Sequence, residues 1–139
     1  MSLKNAISQI RVSSVLNRDV KQFGKKHLFD GDDDTCWNSD QGLPQWINLA
    51  FEDPQTLSGF CVSLQFQGGF CGKDCILEAY NGTCLVENIS FYPDDINSLQ
   101  NFELSFTENQ SVSSLKLIFQ KSTDFFGRII VYKLDLKKL

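Results

Sequence analysis

Large apolar residues return at every second position over much of this chain. From Phe60 to Phe66, the residues Phe60, Val62, Leu64 and Phe66 share one side, with Cys61, Ser63 and Gln65 between them. Ile47, Leu49 and Phe51 alternate in the same way, as do Phe102, Leu104 and Phe106, and Leu115, Leu117 and Phe119. A last segment, Ile129 to Leu136, sets Ile130, Tyr132, Leu134 and Leu136 on one face. Successive side chains of a strand leave opposite faces, so a period of two with one apolar face predicts half-buried antiparallel strands. Weaker patterns of this kind cover Ile10 to Leu16, Cys75 to Tyr80 and Leu85 to Phe91.

The segments are separated by turn chemistry at Asp30-Gly31, Asp53-Pro54, Gly68-Gly69, Asn81-Gly82 and Pro93-Asp94-Asp95. Asn81-Gly82, with Tyr80 and Leu85 close on either side, is a hairpin signal. One short helical turn is expected within Gly24 to Phe29. About eight short strands without repeats or linkers predict one all-β domain over residues 1–139, built from two packed sheets. The core is expected over Phe60, Val62, Leu64, Phe66, Leu115, Leu117 and Phe119, with Trp37 and Trp46 near the acidic loop.

Composition narrows the class. At 139 residues the chain is long enough to bury a core without a staple. A 42% hydrophobic content, rich in phenylalanine, argues against disorder. The net charge of −4 and the absence of long basic runs argue against direct nucleic-acid binding, whose sequence-independent affinity needs clustered Lys and Arg. The first residues lack an apolar signal region and no apolar run approaches membrane-spanning length, so neither secretion nor a membrane is expected. Five cysteines, an odd number, read with this as reduced and intracellular. The N-glycosylation triplets at Asn81, Asn88 and Asn109 carry no weight in such a compartment.

Three segments offer chemistry. The first, Leu28 to Trp37, holds the carboxylates Asp30, Asp32, Asp33 and Asp34. A hard cation such as calcium takes carboxylate and carbonyl oxygens, and this loop supplies both. It is not an EF-hand, because Thr35 and Gln41 stand where the turn glycine and the bidentate glutamate belong. Spacing alone favours a solvated turn whose side chains bond nearby amides. The second is Gln65 to Phe70, where Gly68-Gly69 permits a sharp reversal and Phe70 either folds back or stands out as an anchor. The third is Ser122 to Arg128. Adjacent Phe125 and Phe126 at a strand start point opposite ways, so one should pack inward and the other, with Arg128, could form a binding patch. The alternative is a Phe beneath its own loop and an Arg paired with a loop aspartate.

Enzyme signals are weak. His27 is the single histidine, and no nucleophile motif accompanies it. Cys71 and Cys75 form one C-x3-C spacing, but structural zinc sites pair two such knuckles. Partly buried free thiols are the simpler reading.

The run Phe29-Asp30-Gly31-Asp32 to Thr35-Cys36-Trp37, followed by Gln45-Trp46-Ile47-Asn48-Leu49, resembles the N-terminal half of discoidin domains, the coagulation factor five/eight type C, galactose-binding-like superfamily. This resemblance implies an eight-stranded antiparallel jelly-roll β-sandwich with ligand loops at one end. It also raises calcium at the acidic loop, with Asp30 and Thr35 as side-chain ligands and Asp32 or a loop carbonyl adding more. A more specific likeness runs through Arg11 to Asn17, Gln22 to Asp30, Thr35 to Gly42, Gln65 to Phe70, Phe91-Tyr92-Pro93, Asn97 to Gln100 and Thr123 to Arg128. Together these resemble a small family of nuclear-receptor-associated proteins that bind the orphan testicular receptor four. That likeness implies a non-enzymatic nuclear protein, present also in the cytoplasm, that represses by keeping a nuclear receptor off its DNA response element. It carries over no contact residues; Phe70, Phe125, Phe126 and Arg128 are candidates from the residues themselves. The second functional reading is a calcium-supported, lectin-like carbohydrate-binding module.

Overall fold

In the computed structural model, which describes residues 2–139, the alternating segments lie in seven strands. They are β1 (Ile7–Val12), β2 (Trp37–Asn38), β3 (Gln45–Phe66), β4 (Gly72–Asn81), β5 (Cys84–Phe91), β6 (Gln100–Ser122) and β7 (Ile130–Lys138). One four-residue helix, α1 (Val20–Phe23), and three short 3-10 turns fill the β1–β2 connection and the N-terminus. Asp19 caps α1 by accepting from the Gln22 N–H at 3.1 Å.

Two strands are long because each serves both sheets. The first half of β3 pairs with β1 and with the second half of β6, which pairs in turn with β4, and β4 with β5. The second half of β3 pairs with β7 and with the first half of β6, and β7 carries β2. The result is a five-stranded row, β1-β3-β6-β4-β5, facing a four-stranded row, β2-β7-β3-β6, all antiparallel. Register shifts between Ala50 and Gln55 and between Leu57 and Gly59 mark the corner. Bulges are how a strand bends from one sheet into the next. The Asp53-Pro54 break expected from the sequence therefore lies inside β3, where a bulge tolerates a residue without an N–H. Four expected segments become two corner-turning strands for this reason, and eight become six, with β2 added.

Between the sheets, Phe60, Val62, Leu64, Phe66, Leu115, Leu117 and Phe119 are fully buried, as the alternation predicts. Phe119 lies edge-on to Phe66, with ring centres 5.7 Å apart, and 6.3 Å from Trp37. Gly72 faces that ring so closely that a Cβ would stand 2.4 Å from Phe119 Cδ1.

Three details depart from the sequence reading. β1 spans Ile7–Val12 rather than 10–16, since the chain turns away at Ser13. In β7, Val131 faces the core and Tyr132 is half-buried, because the register slips between Gln65–Lys133 and Phe66–Val131 and side-chain parity flips there. Trp37 is buried just after the acidic loop, its indole N–H donating to Ser14 O at 2.9 Å. Trp46 instead lies on the outer face, with Lys116 Nζ 4.7 Å above its ring. Asn81-Gly82 closes the β4–β5 hairpin as expected, with Gly82 at φ 64°. Among the described residues, no helix is long and apolar enough to cross a membrane.

Candidate functional site

Four loops meet at one end of the sandwich: 39–44, 67–71, 92–99 and 123–129. Backbone groups stitch them directly. Gly42 N–H donates to Phe126 O at 2.9 Å, Ile130 N–H to Phe70 O at 3.1 Å, and Thr123 N–H to Cys71 O at 3.0 Å. Side chains complete the work. Asn97 Oδ1 accepts from the Gly68 N–H at 2.7 Å and Asp95 Oδ1 from the Gly69 N–H at 2.8 Å. The Gly69 amide is the chief reason that the Asp95 carboxyl is held below its ordinary value.

Loop 39–44, in which the Leu43-Pro44 peptide is cis, is organised by Gln45. This side chain is buried; its Nε2 donates to Gly42 O at 2.7 Å and Asp40 O at 3.2 Å, while its Oε1 accepts from Ser14 Oγ at 2.7 Å. Ser39 Oγ, also buried, accepts from the Ile129 N–H at 2.8 Å. Sequence reasoning missed both. The signal for Gln45 was readable, because it shares the inward parity of Ile47 and Leu49.

The four candidate binding residues all sit at this end. Phe125 and Phe126 lie in the β6–β7 turn, not at a strand start, so strand alternation does not sort them. Both point outward, 94% and 58% exposed, with their rings edge-to-face at 5.2 Å. The expectation that one packs inward is thus corrected. Gly127 explains the geometry: its φ is 83°, and a Cβ there would meet Leu43 Cγ at 2.9 Å. The turn is pinned down behind the two rings, and exposed Leu43 lies beside them. Arg128 is committed within the loop. Its guanidinium stacks on Phe70 at 4.7 Å, its Nε lies 3.6 Å from Asp124 Oδ2, and its N–H donates to that oxygen at 3.1 Å. Phe70 and Arg128 therefore brace the turn that presents Phe125 and Phe126.

The acidic loop is a network of Asx turns. Asp30 Oδ1 accepts from the Asp32 N–H at 3.0 Å, and Asp32 Oδ1 from the Asp34 N–H at 2.9 Å. Asp30 Oδ2 accepts from Thr35 Oγ1 at 2.6 Å and lies 3.1 Å from His27 Nδ1. Burial pushes the Asp30 carboxyl up, but these bonds outweigh it and hold it below its ordinary 3.8. Asp33 pairs with Lys133. Asp30, Asp32 and Asp33 thus turn to separate partners, and among the described residues no group of three or more His, Cys, Asp and Glu side chains is placed to hold a metal ion.

All five cysteines are free. Cys36, Cys71 and Cys75 are buried, Cys61 is half-buried, and Cys84 is exposed beside the hairpin turn. Burial, followed by the neighbouring Asp95, pushes the Cys71 thiol up to about 12. Burial also raises Cys75 and Cys36.

The fold recurs in solved structures of low sequence identity. CpGH89CBM32-5 from Clostridium perfringens, in complex with GalNAc-β-1,3-galactose, superposes with a TM-score of 0.73 at 18% identity, covering 99% of both chains. The F5/8 type C domain of a Bacteroides fragilis protein superposes at 0.71 with 16% identity, covering 94% of this chain and 92% of that one. These establish a discoidin-type jelly roll. No protein-family model matches the chain. Sequence relatives are nearer. A protein of Xenopus tropicalis named nuclear receptor 2C2-associated protein is 54% identical over 97% of this chain and 96% of its own length. Proteins of the same name from Danio rerio and Homo sapiens are 56% and 52% identical, over 93% and 89% of this chain and 89% and 86% of theirs. Matched at this identity over nearly its whole length, the chain belongs to the nuclear receptor 2C2-associated protein family.

Proposed function

We propose that this chain is a non-enzymatic interaction module of the nucleus, and also of the cytoplasm, that binds a nuclear receptor and lowers its occupancy of DNA. The observation that carries the reading is the name shared by relatives more than half identical over nearly the whole chain. The contact surface we assign is the loop end, where Phe125 and Phe126 supply apolar anchors and Phe70 and Arg128 hold the turn that carries them. Aromatic side chains held rigid on a pinned loop bind with little loss of conformational freedom. The net charge of −4 suits a basic DNA-binding domain and disfavours competition for DNA itself. Repression then follows from covering the receptor's DNA-contacting surface or its dimer contact.

A gel-shift titration of the receptor on its response element tests this. Wild-type protein should reduce the shifted fraction without shifting the probe alone. A folded Phe125→Ala or Phe126→Ala variant should weaken the effect by about 2 kcal/mol, roughly thirtyfold. A supershifted complex of receptor, DNA and this protein would rule the mechanism out. Carbohydrate binding, the second reading, has only the shared fold behind it.

A further inference from the structure

Strand β1 lies at the margin of the five-stranded row and pairs with β3 alone. Ser13 N–H donates to Trp46 O at 3.0 Å. In an antiparallel ladder the inward and outward backbone groups alternate, so Val12 and Ile10 turn their N–H and C=O groups away from β3, toward the open edge. An edge of unpaired backbone groups is a template for another strand, and proteins commonly shield such edges.

Here the edge faces a groove. Its floor and far wall come from Val15, Val20 and the turn at 24–26, and Arg11, Lys21, Lys25 and Lys26 rim a cavity of about 600 Å³. A second hollow of about 320 Å³, bounded by Ile7, Ile10, Lys25 and Lys26, continues along the same strand. Val20, 63% exposed, gives the groove an accessible apolar side chain. The four cations are nearly a third of the 13 in an acidic chain, and no carboxylate lines either hollow. Asp19, the nearest acid in sequence, is occupied in capping α1.

We infer that this groove binds an extended, acidic peptide segment of a partner protein, added to β1 as a further antiparallel or parallel strand. Backbone pairing to Ile10 and Val12 holds the segment, its small apolar side chains cover Val15 and Val20, and its carboxylates meet Arg11, Lys21, Lys25 and Lys26. A basic rim beside an open strand edge selects against basic and neutral segments that pair equally well through the backbone. The site is separate from the aromatic turn proposed above for the receptor, so the two stand or fall independently.

Fluorescence polarisation with a labelled ten-residue peptide alternating glutamate and valine tests the assignment on the full chain. Binding should weaken as salt rises, and a peptide alternating lysine and valine should bind at least tenfold less well. Lys25→Glu combined with Lys26→Glu should lower affinity at least tenfold, whereas Phe125→Ala should leave it unchanged. The glutamate peptide N-methylated at alternate amides, in both phases, should also lose at least tenfold in one phase, since only one edge of an added strand faces β1. Equal binding of all the N-methylated peptides would overturn strand addition. So would binding to phosphatidylserine vesicles with none to the peptide, which would make the rim a lipid-headgroup surface.

Discussion

Asp30 shows how a residue that looks like a ligand can be spent on its own loop. Its two carboxylate oxygens take the Asp32 amide, the Thr35 hydroxyl and the His27 ring. A carboxyl held below its ordinary value stabilises the fold above the unfolded value, here 3.8, and that contribution disappears as pH falls through the lower folded value. Asp30→Asn should therefore cost about 1 kcal/mol at pH 7 and flatten the loss of stability in acid, as urea midpoints measured from pH 7 to pH 2 would record. Calcium at Asp30, Asp32 and Thr35 is a proposal with its own measurement. An ion bound only by the folded chain raises the melting temperature. Melts in excess calcium and in chelator should superimpose if the carboxylates keep their present hydrogen-bond partners, and a rise of several degrees would establish the cation site instead.

At the level of elements, the β6–β7 turn depends on one glycine. Gly127 adopts φ 83° and lies against Gly42 and Leu43 without room for a Cβ. Gly127→Ala should cost about 1–2 kcal/mol in backbone strain alone, and the contact with loop 39–44 should open further. Amide chemical shifts of residues 39–43 should move together with those of 123–128, and receptor inhibition should fall although Phe125 and Phe126 are untouched. Unchanged shifts at 39–43 would show that the two loops are not coupled. The long strands carry a parallel lesson. β3 and β6 each hold two alternating stretches that read as separate strands, because a bulged corner and a true turn both interrupt the period.

Across the whole molecule, the two rows meet on Phe66, Trp37 and Phe119. The Phe119 backbone pairs with Gln45 of β3 and Cys75 of β4, and its ring lies against Phe66, Trp37 and Gly72. Phe119→Ala should cost about 3–5 kcal/mol, a large share of the roughly 5–15 kcal/mol typical of a folded chain. Its urea midpoint should drop sharply or the transition vanish; a change under 1 kcal/mol would mean that the core repacks around the gap. The same architecture separates two surfaces of different character, an aromatic turn at the loop end and a basic groove beside β1.

Much of this was written in the order of residues. The inward sets Phe60 to Phe66 and Leu115 to Phe119, the Asn81-Gly82 hairpin and the acidic balance follow from local periodicity, turn chemistry and composition, which need no partner to be read. The discoidin likeness and the candidate loops were legible too, because their motifs are short and contiguous. Other features depend on residues distant in the chain. That Asp53-Pro54 is a corner rather than an end depends on β6 staying paired across it. That Val131 replaces Tyr132 in the core depends on a slip against β3. That both phenylalanines face outward depends on Gly127 meeting Leu43, some eighty residues earlier. The basic groove has the same origin, since Arg11 and Lys25 become neighbours only when the turn at 24–26 folds back beside β1. Sequence pattern reports which face a residue prefers; packing between distant segments sets which neighbours that face will meet.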